Sequence, residues 1–169
     1  MAKREEFKRE RKDDEFEKRL INVRRVTKVV KGGKQMHFSS FMVVGDKKGK
    51  VGIGSGKAGE VPVATEKATQ QAKKNLKAYN IVGSTIPHEV EGKFGTSKVL
   101  LLPAKEGTGV IASGAVRAVI DCIGIKDIVA KSYGGRNKIN VIKATLNGLS
   151  LLRTREQIAE LRGKKPEEI

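Results

Sequence analysis

The sequence predicts an α+β protein, and three observations predict it. A β-branched, alternating stretch is cut twice by glycine turns, a helix with alanines on one face follows it, and a second set of strands and helices begins after a short linker. The boundaries read as a charged tail over 1–19, a β-β-β-α domain over 20–80, an α/β domain over 84–153, and a short helix with a tail over 154–169.

The opening AKREEFKRERKDDEFEKR holds only Phe7 and Phe16 as large apolar residues, so it has little to bury alone and is expected to be disordered when free. From Leu20 the text changes to LINVRRVTKVV, a KGGK turn, QMHFSSFMVV, a GDKKG turn and KVGIGS, which gives three strands. The turn Lys31-Gly32-Gly33-Lys34 calls for positive φ, which glycine adopts without steric cost. Val61-Pro62 then starts a helix with Ala64, Ala68, Ala72, Leu76 and Tyr79 on one face. Glu66, Lys67, Gln70, Lys73, Lys74 and Lys77 occupy the other, so one side packs on the sheet and one is a basic surface.

Beyond NIVGS, strands are expected near 85–91 and 97–103, then a glycine-rich EGTG loop at 106–109 and a helix over about 113–123. That helix carries Val116, Val119, Ile120 and Ile123 on one face. A strand near 127–133 leads through GGRN to a helix with Val141, Ile142, Thr145, Leu146, Leu149 and Leu152 inward, and Thr154 with Gln157 forms a capping box for a last helix.

Charge sets the function class. The 169 residues carry a formal net charge of +16 and 38% hydrophobic residues, a balance that attracts polyanions yet leaves enough apolar surface for a core. The charge is local: residues 20–80 hold 13 basic and 3 acidic side chains, against 10 and 5 in 81–153 and near balance at both ends. One cysteine excludes a disulfide framework, and Cys122 in AVIDCIG reads as a small core hydrophobe. With VLLL at 99–102 as the longest apolar run, neither a signal peptide nor a spanning helix is expected, and the chain reads as soluble and intracellular.

Catalytic motifs fail on context. Gly54-Ser55-Gly56-Lys57-Ala58-Gly59 matches G-x-G-x-x-G, but hairpins precede it and no acidic residue follows at ribose-binding distance, so its glycines read as sites of close backbone approach. His37 and His88, expected in strands, have no ligand cluster. Ser39 and Ser40 lack a nucleophile context, and Glu89 with Glu91 reads as solvated strand surface. No catalytic residue, metal, cofactor, small-molecule substrate or membrane partner is assigned.

The basic residues at turns remain. Arg24, Arg25, Lys28, Lys31 and Lys34 surround one hairpin, Lys47, Lys48 and Lys50 the next, and Lys57 follows the glycine strand. Lysines and arginines neutralise phosphates, and glycine amides approach phosphate oxygens closely. With Phe38, Phe41 and Phe94 as the only stacking candidates, a reader of RNA backbone is favoured over a single-strand platform.

Two long motifs, RRVTKVVKGGKQMHFSSFMVVGDKKGKVGIGSGKAGEVPVATEKA and EGTGVIASGAVRAVIDCIGIKDIVAKSYGGRNKINVIKAT, resemble the bacterial small-ribosomal-subunit protein five family over about residues 15–163. The resemblance implies an N-terminal module similar to a double-stranded-RNA-binding domain and a C-terminal α/β module with a left-handed βαβ crossover, against the general rule of handedness. The first helix of the double-stranded-RNA pattern and its lysine-rich phosphate clamp are missing, so reading across two minor grooves is not carried over. The resemblance further implies a structural constituent of the small subunit that binds 16S rRNA through basic hairpin loops and contributes to assembly and decoding accuracy. It places the protein in the cytoplasmic particle beside ribosomal proteins four and eight, with messenger RNA nearby at the entry side. VTKVVKGG, with Thr27, Lys31, Gly32 and Gly33, maps onto the loop that meets rRNA and is associated with spectinomycin sensitivity. Gly107, Gly109 and Arg117 map onto the interface with ribosomal protein four. The alternative is a free RNA chaperone or RNA-binding regulator.

Overall fold

A computed structural model describes residues 16–165, so the expectations for residues 1–15 and for the tail at 166–169 lie outside the described part of the chain. Two compact units result. The first holds the described residues up to Ala78 together with Cys122–Gly124, and the second holds Tyr79–Asp121 and the described residues from Ile125 onward.

In the first unit, β1 (Glu17–Val30), β2 (Gly33–Gly45) and β3 (Lys50–Ala58) form an antiparallel meander, followed by α1 (Val61–Lys74) and a two-residue strand β4 (Lys77–Ala78) on the β3 edge. Strand β1 starts three residues earlier than Leu20, with Glu17 paired to Gly45. The β-β-β-α order is as the sequence predicts.

Glycine decides how α1 packs. Gly52, Gly54 and Gly56 share one face of β3, and a Cβ on each would overlap the carbonyl of Ala72, Ala68 or Ala64 respectively. The three alanines are fully buried. Glycines on the strand and alanines on the helix therefore bring the two backbones together, and the approaching body behind the G-x-G-x-x-G string is the protein's own helix. Val43, Val44 and Val51 are buried in the same unit, each stabilising the fold by about 1.5–3 kcal/mol of apolar transfer. The helix ends earlier than the sequence suggests. Asn75 caps it, and its side-chain amide donates to the Ile53 carbonyl at 3.3 Å, so Leu76 and Tyr79 lie beyond the helix instead of on its inner face.

The second unit contains a mixed sheet in the order β5-β6-β8-β7, from β5 (Val90–Phe94), β6 (Ser97–Pro103), β7 (Val110–Ile111) and β8 (Ile128–Gly134). Strand β7 runs parallel to β8 and is joined to it through α2 (Gly114–Ile123), the βαβ unit of this module. Val116, Val119, Ile120 and Ile123 are all buried, as their spacing predicts, and so is Cys122. Helix α3 (Lys138–Ser150) lies on β5 and β6 through a second glycine contact, Gly92 against Ala144 and Gly148. Helix α4 (Arg155–Arg162) carries the predicted capping box, Thr154 with Gln157.

The strand expected at 85–91 is displaced. Pro87 has no N–H for a ladder, and Val82 pairs with Thr85 across a turn in which Gly83 has φ +60°. His88 and Glu89 precede the strand and are not in it. The imidazole of His88 is spent on structure: Nε2 accepts from the Arg153 amide at 3.2 Å, which leaves Nδ1 to donate to the Glu89 carbonyl at 2.8 Å. Strands β4 and β7 are too short to leave a period in the sequence.

Candidate nucleic-acid interface

Strand β3 pairs with β2 only as far as Phe38 opposite Ala58, whereas β1 and β2 stay paired to Val30 opposite Gly33. The end of the hairpin is therefore a two-stranded ribbon, with all residues from Thr27 to Met36 exposed. Pairing alternates its faces. Arg25, Thr27, Val29, Lys34 and Met36 share one, and Arg24, Val26, Lys28, Gln35 and His37 share the other. Gly32 and Gly33 make the turn with φ of +100° and +150°, and nothing stands within 4 Å of where a Cβ would be on either. Among the described residues, no carboxylate forms an ion pair with Arg24, Arg25, Lys28, Lys31 or Lys34.

At the root of the ribbon lies an open cavity of about 730 Å³. It brings together Thr27 and Lys28 from β1, His37 from β2, Lys57 from the end of β3 and Lys67 from α1. Glu60, which precedes α1, is its one acidic lining residue. Three ammonium groups against one carboxylate on an open concave wall favour a polyanion there.

The second turn is built differently from the first. Asp46 accepts from the Lys48 and Lys50 amides at 2.8 and 2.9 Å, and its own amide donates to the Lys50 carbonyl at 3.1 Å. Lys47 has φ +56°, and its ammonium lies 3.0 Å from Glu17. The hydrogen bond from Lys47 holds the Glu17 carboxyl below the usual range, against a smaller opposing effect of burial and with Arg19 adding to the lowering. The expectation that a turn glycine amide meets phosphate is corrected at Gly49, whose amide donates to the Ile123 carbonyl at 3.0 Å, and Asp46 likewise engages the amides of Lys48 and Lys50. Their exposed side chains remain available.

In the second unit the loop before β7 is tied inward. Gly107 and Gly109 have φ of +86° and +73°, and the Gly109 amide donates to the buried Asp127 carboxylate at 2.9 Å. That bond, helped by the Ser84 hydroxyl, the Gly107 amide and the Lys126 charge, keeps Asp127 below the ordinary carboxylate range although desolvation acts the other way. Arg117 is exposed, and its guanidinium donates to the Val110 carbonyl at 3.0 Å, bracing the start of β7.

Comparison with known families assigns both modules. The family model for the N-terminal domain of ribosomal protein S5 matches residues 16–78, and that for its C-terminal domain matches residues 92–162. The chain belongs to the ribosomal protein S5 family. It is a structural constituent of the small ribosomal subunit, with ribosomal RNA and other ribosomal proteins as its partners.

Within this S5-family chain, sequence reasoning passed over two residues. Lys67 enters the cavity only because the α1–β3 glycine contact sets the helix position. Tyr133 is 57% exposed on β8, whereas Phe41 is buried, and Phe94 lies under Lys143 with the ammonium 4.7 Å from the ring centre. Among the described residues the best-exposed ring is thus a tyrosine, outside the three phenylalanines named as stacking candidates. Its position in SYGG, at a strand end before a glycine turn, was the available signal.

Proposed function

We propose that the first unit binds 16S rRNA through the β1–β2 ribbon and the cavity at its root, with Arg24, Arg25, Thr27, Lys28, Lys31, Gly32, Gly33, Lys34 and Lys57 as the contact set and Lys67 added to it. Lys48 and Lys50 contribute charge from the neighbouring turn, and Lys47 contributes less because Glu17 competes for it. The observation that carries this reading is the convergence of Thr27, Lys28, Lys57 and Lys67, from three separate elements, on one open cavity below a ribbon of unpaired cations. Phosphates meet the amines, the glycine turn lets backbone approach closely, and shape gives the selectivity that charge lacks.

The second unit is proposed as the protein-facing half, with the loop of Gly107 and Gly109 and the exposed Arg117 directed at ribosomal protein four and an influence on decoding accuracy. Proximity to ribosomal protein eight and to messenger RNA at the entry side, and a cytoplasmic location within the particle, belong to the same proposal and rest on family membership. Domain limits of 20–80 and 84–153 are retained as the proposed functional division.

Crosslinking of the native small subunit tests the assignment. RNA crosslinks concentrated at Lys28, Lys31, Lys34, Lys57 and Lys67 are expected. Crosslinks confined to residues 84–153 would overturn it, and recovery of the protein only outside ribosomal fractions after a high-salt wash would favour a free RNA chaperone or regulator.

A further inference from the structure

The sheet of the second unit has two unlike faces. Helix α3 covers the one that carries Gly92 and Leu101. Alternation places Glu91, Lys93, Lys98, Leu100, Lys131 and Tyr133 on the other. There Lys93 stands opposite Lys98, and Lys98 opposite Tyr133, a straight row across three strands. The next row is Glu91, Leu100 and Lys131. Neighbouring strands lie about 4.8 Å apart, so the Cα atoms of Lys93, Lys98 and Tyr133 span roughly 10 Å.

The row is not arranged for stability. Like charges directly opposite one another destabilise a sheet, and a ring 57% exposed gains little from packing. Glu91 partly offsets the repulsion, at 3.4 Å from Lys93 and 3.9 Å from Lys98, yet all three side chains are about half exposed and such pairs contribute little. Lys131 on the same face and Arg136 and Lys138 just past β8, all exposed, leave this end of the sheet positive.

We infer that this face is a second RNA-binding surface, which takes an unpaired RNA segment with a base stacked on Tyr133 and flanking phosphates on Lys93, Lys98 and Lys131. A flat ring in a row of amines matches the two requirements of single-stranded RNA, a platform for the base and cations for the backbone. An acidic protein segment would use the amines and leave the ring unexplained. The inference is independent of the ribbon and cavity of the first unit.

The full chain allows a direct test, because it has two tyrosines and no tryptophan. In Tyr79→Phe protein, Tyr133 is the only tyrosine, so its emission reports the surface alone. Titration with a uridine decamer is expected to quench it saturably. Lys98→Ala should lower the log–log salt slope of that quenching by about 0.7, and Glu91→Gln should tighten it. Lys31→Ala with Lys34→Ala should leave it unchanged, which separates this surface from the ribbon. Emission indifferent to the decamer would overturn the inference. So would equal quenching by a blunt-ended, fully paired RNA duplex, quenching lost in the Lys31/Lys34 variant, or a response to polyglutamate alone, the last pointing to a protein partner.

Discussion

Strand β3 and the β1–β2 turn both depend on glycine, for opposite reasons. At Gly52, Gly54 and Gly56 the missing Cβ is space already occupied by the backbone of α1, whereas at Gly32 and Gly33 the space is empty and positive φ is what excludes a side chain. One stretch is closed by the protein's own helix. The other is open to a partner. The loop of Gly107 and Gly109 is intermediate, with positive φ and room at both Cβ positions but with an amide held by Asp127. A glycine string therefore marks close approach or turning, and only the surroundings tell which body approaches.

The largest effect should come from the closed stretch. Gly54→Val places a branched side chain where the Ala68 carbonyl stands, and we expect a loss of at least about 4 kcal/mol, with the first unit failing to fold. Thermal unfolding followed by circular dichroism measures it, and a cooperative transition within a few degrees of the parent would remove the contrast.

The Asp127 clamp should come next. Its folded-state pKa is depressed, so its contribution is fully present above the ordinary carboxylate value near 4 and is lost as pH falls through the lower folded value. Protection of the Gly109 amide from exchange should fall over that acid range, and Asp127→Ala should abolish it at neutral pH with a melting point lower by several degrees. Amide exchange by NMR reports both, and protection that is independent of pH would break the assignment.

Gly33→Asp should cost only the local backbone strain, about 1–3 kcal/mol, because nothing crowds the site. RNA affinity should fall by roughly tenfold or more, since a carboxylate then faces phosphate. If instead the variant melted as low as Gly54→Val, the open turn would belong with the closed strand. Smaller still, Lys31→Ala with Lys34→Ala should leave melting unchanged and lower the log–log salt slope of rRNA-fragment binding by about one to two.

Arg117→Leu removes a single exposed hydrogen bond, worth about 0.5–1.5 kcal/mol, while altering the surface proposed to meet ribosomal protein four. Misreading of near-cognate codons should change in subunits fully occupied by the variant, and parental error rates would leave Arg117 as a brace for β7 alone.

Much of this was open to reading from residues in order. The β-branched runs, the glycine turns, the alanine spacing of α1, the buried faces of α2 and α3 and the Thr154–Gln157 box each depend on neighbours within one or two turns of chain, where propensity and period operate. The family resemblance supplied the partner class, because its two motifs lie within the two stretches, residues 16–78 and 92–162, that the family models match. The strand near 85–91 was misread because Pro87 outweighs an apolar pattern that otherwise suits a strand, and the end of α1 because Asn75 reaches back to β3.

By itself the sequence determined the order of most elements and the concentration of positive charge in residues 20–80. Only the tertiary structure decided which body lies against Gly52, Gly54 and Gly56, that Lys67 joins Thr27, Lys28 and Lys57, that Asp46 engages the amides of its own turn, and that Lys93, Lys98 and Tyr133 fall in one row. The physical reason is range. Dihedral preference, periodicity and net charge are properties of a residue and its near neighbours, whereas cross-strand register and helix-to-sheet distance are fixed by contacts between residues far apart in the chain.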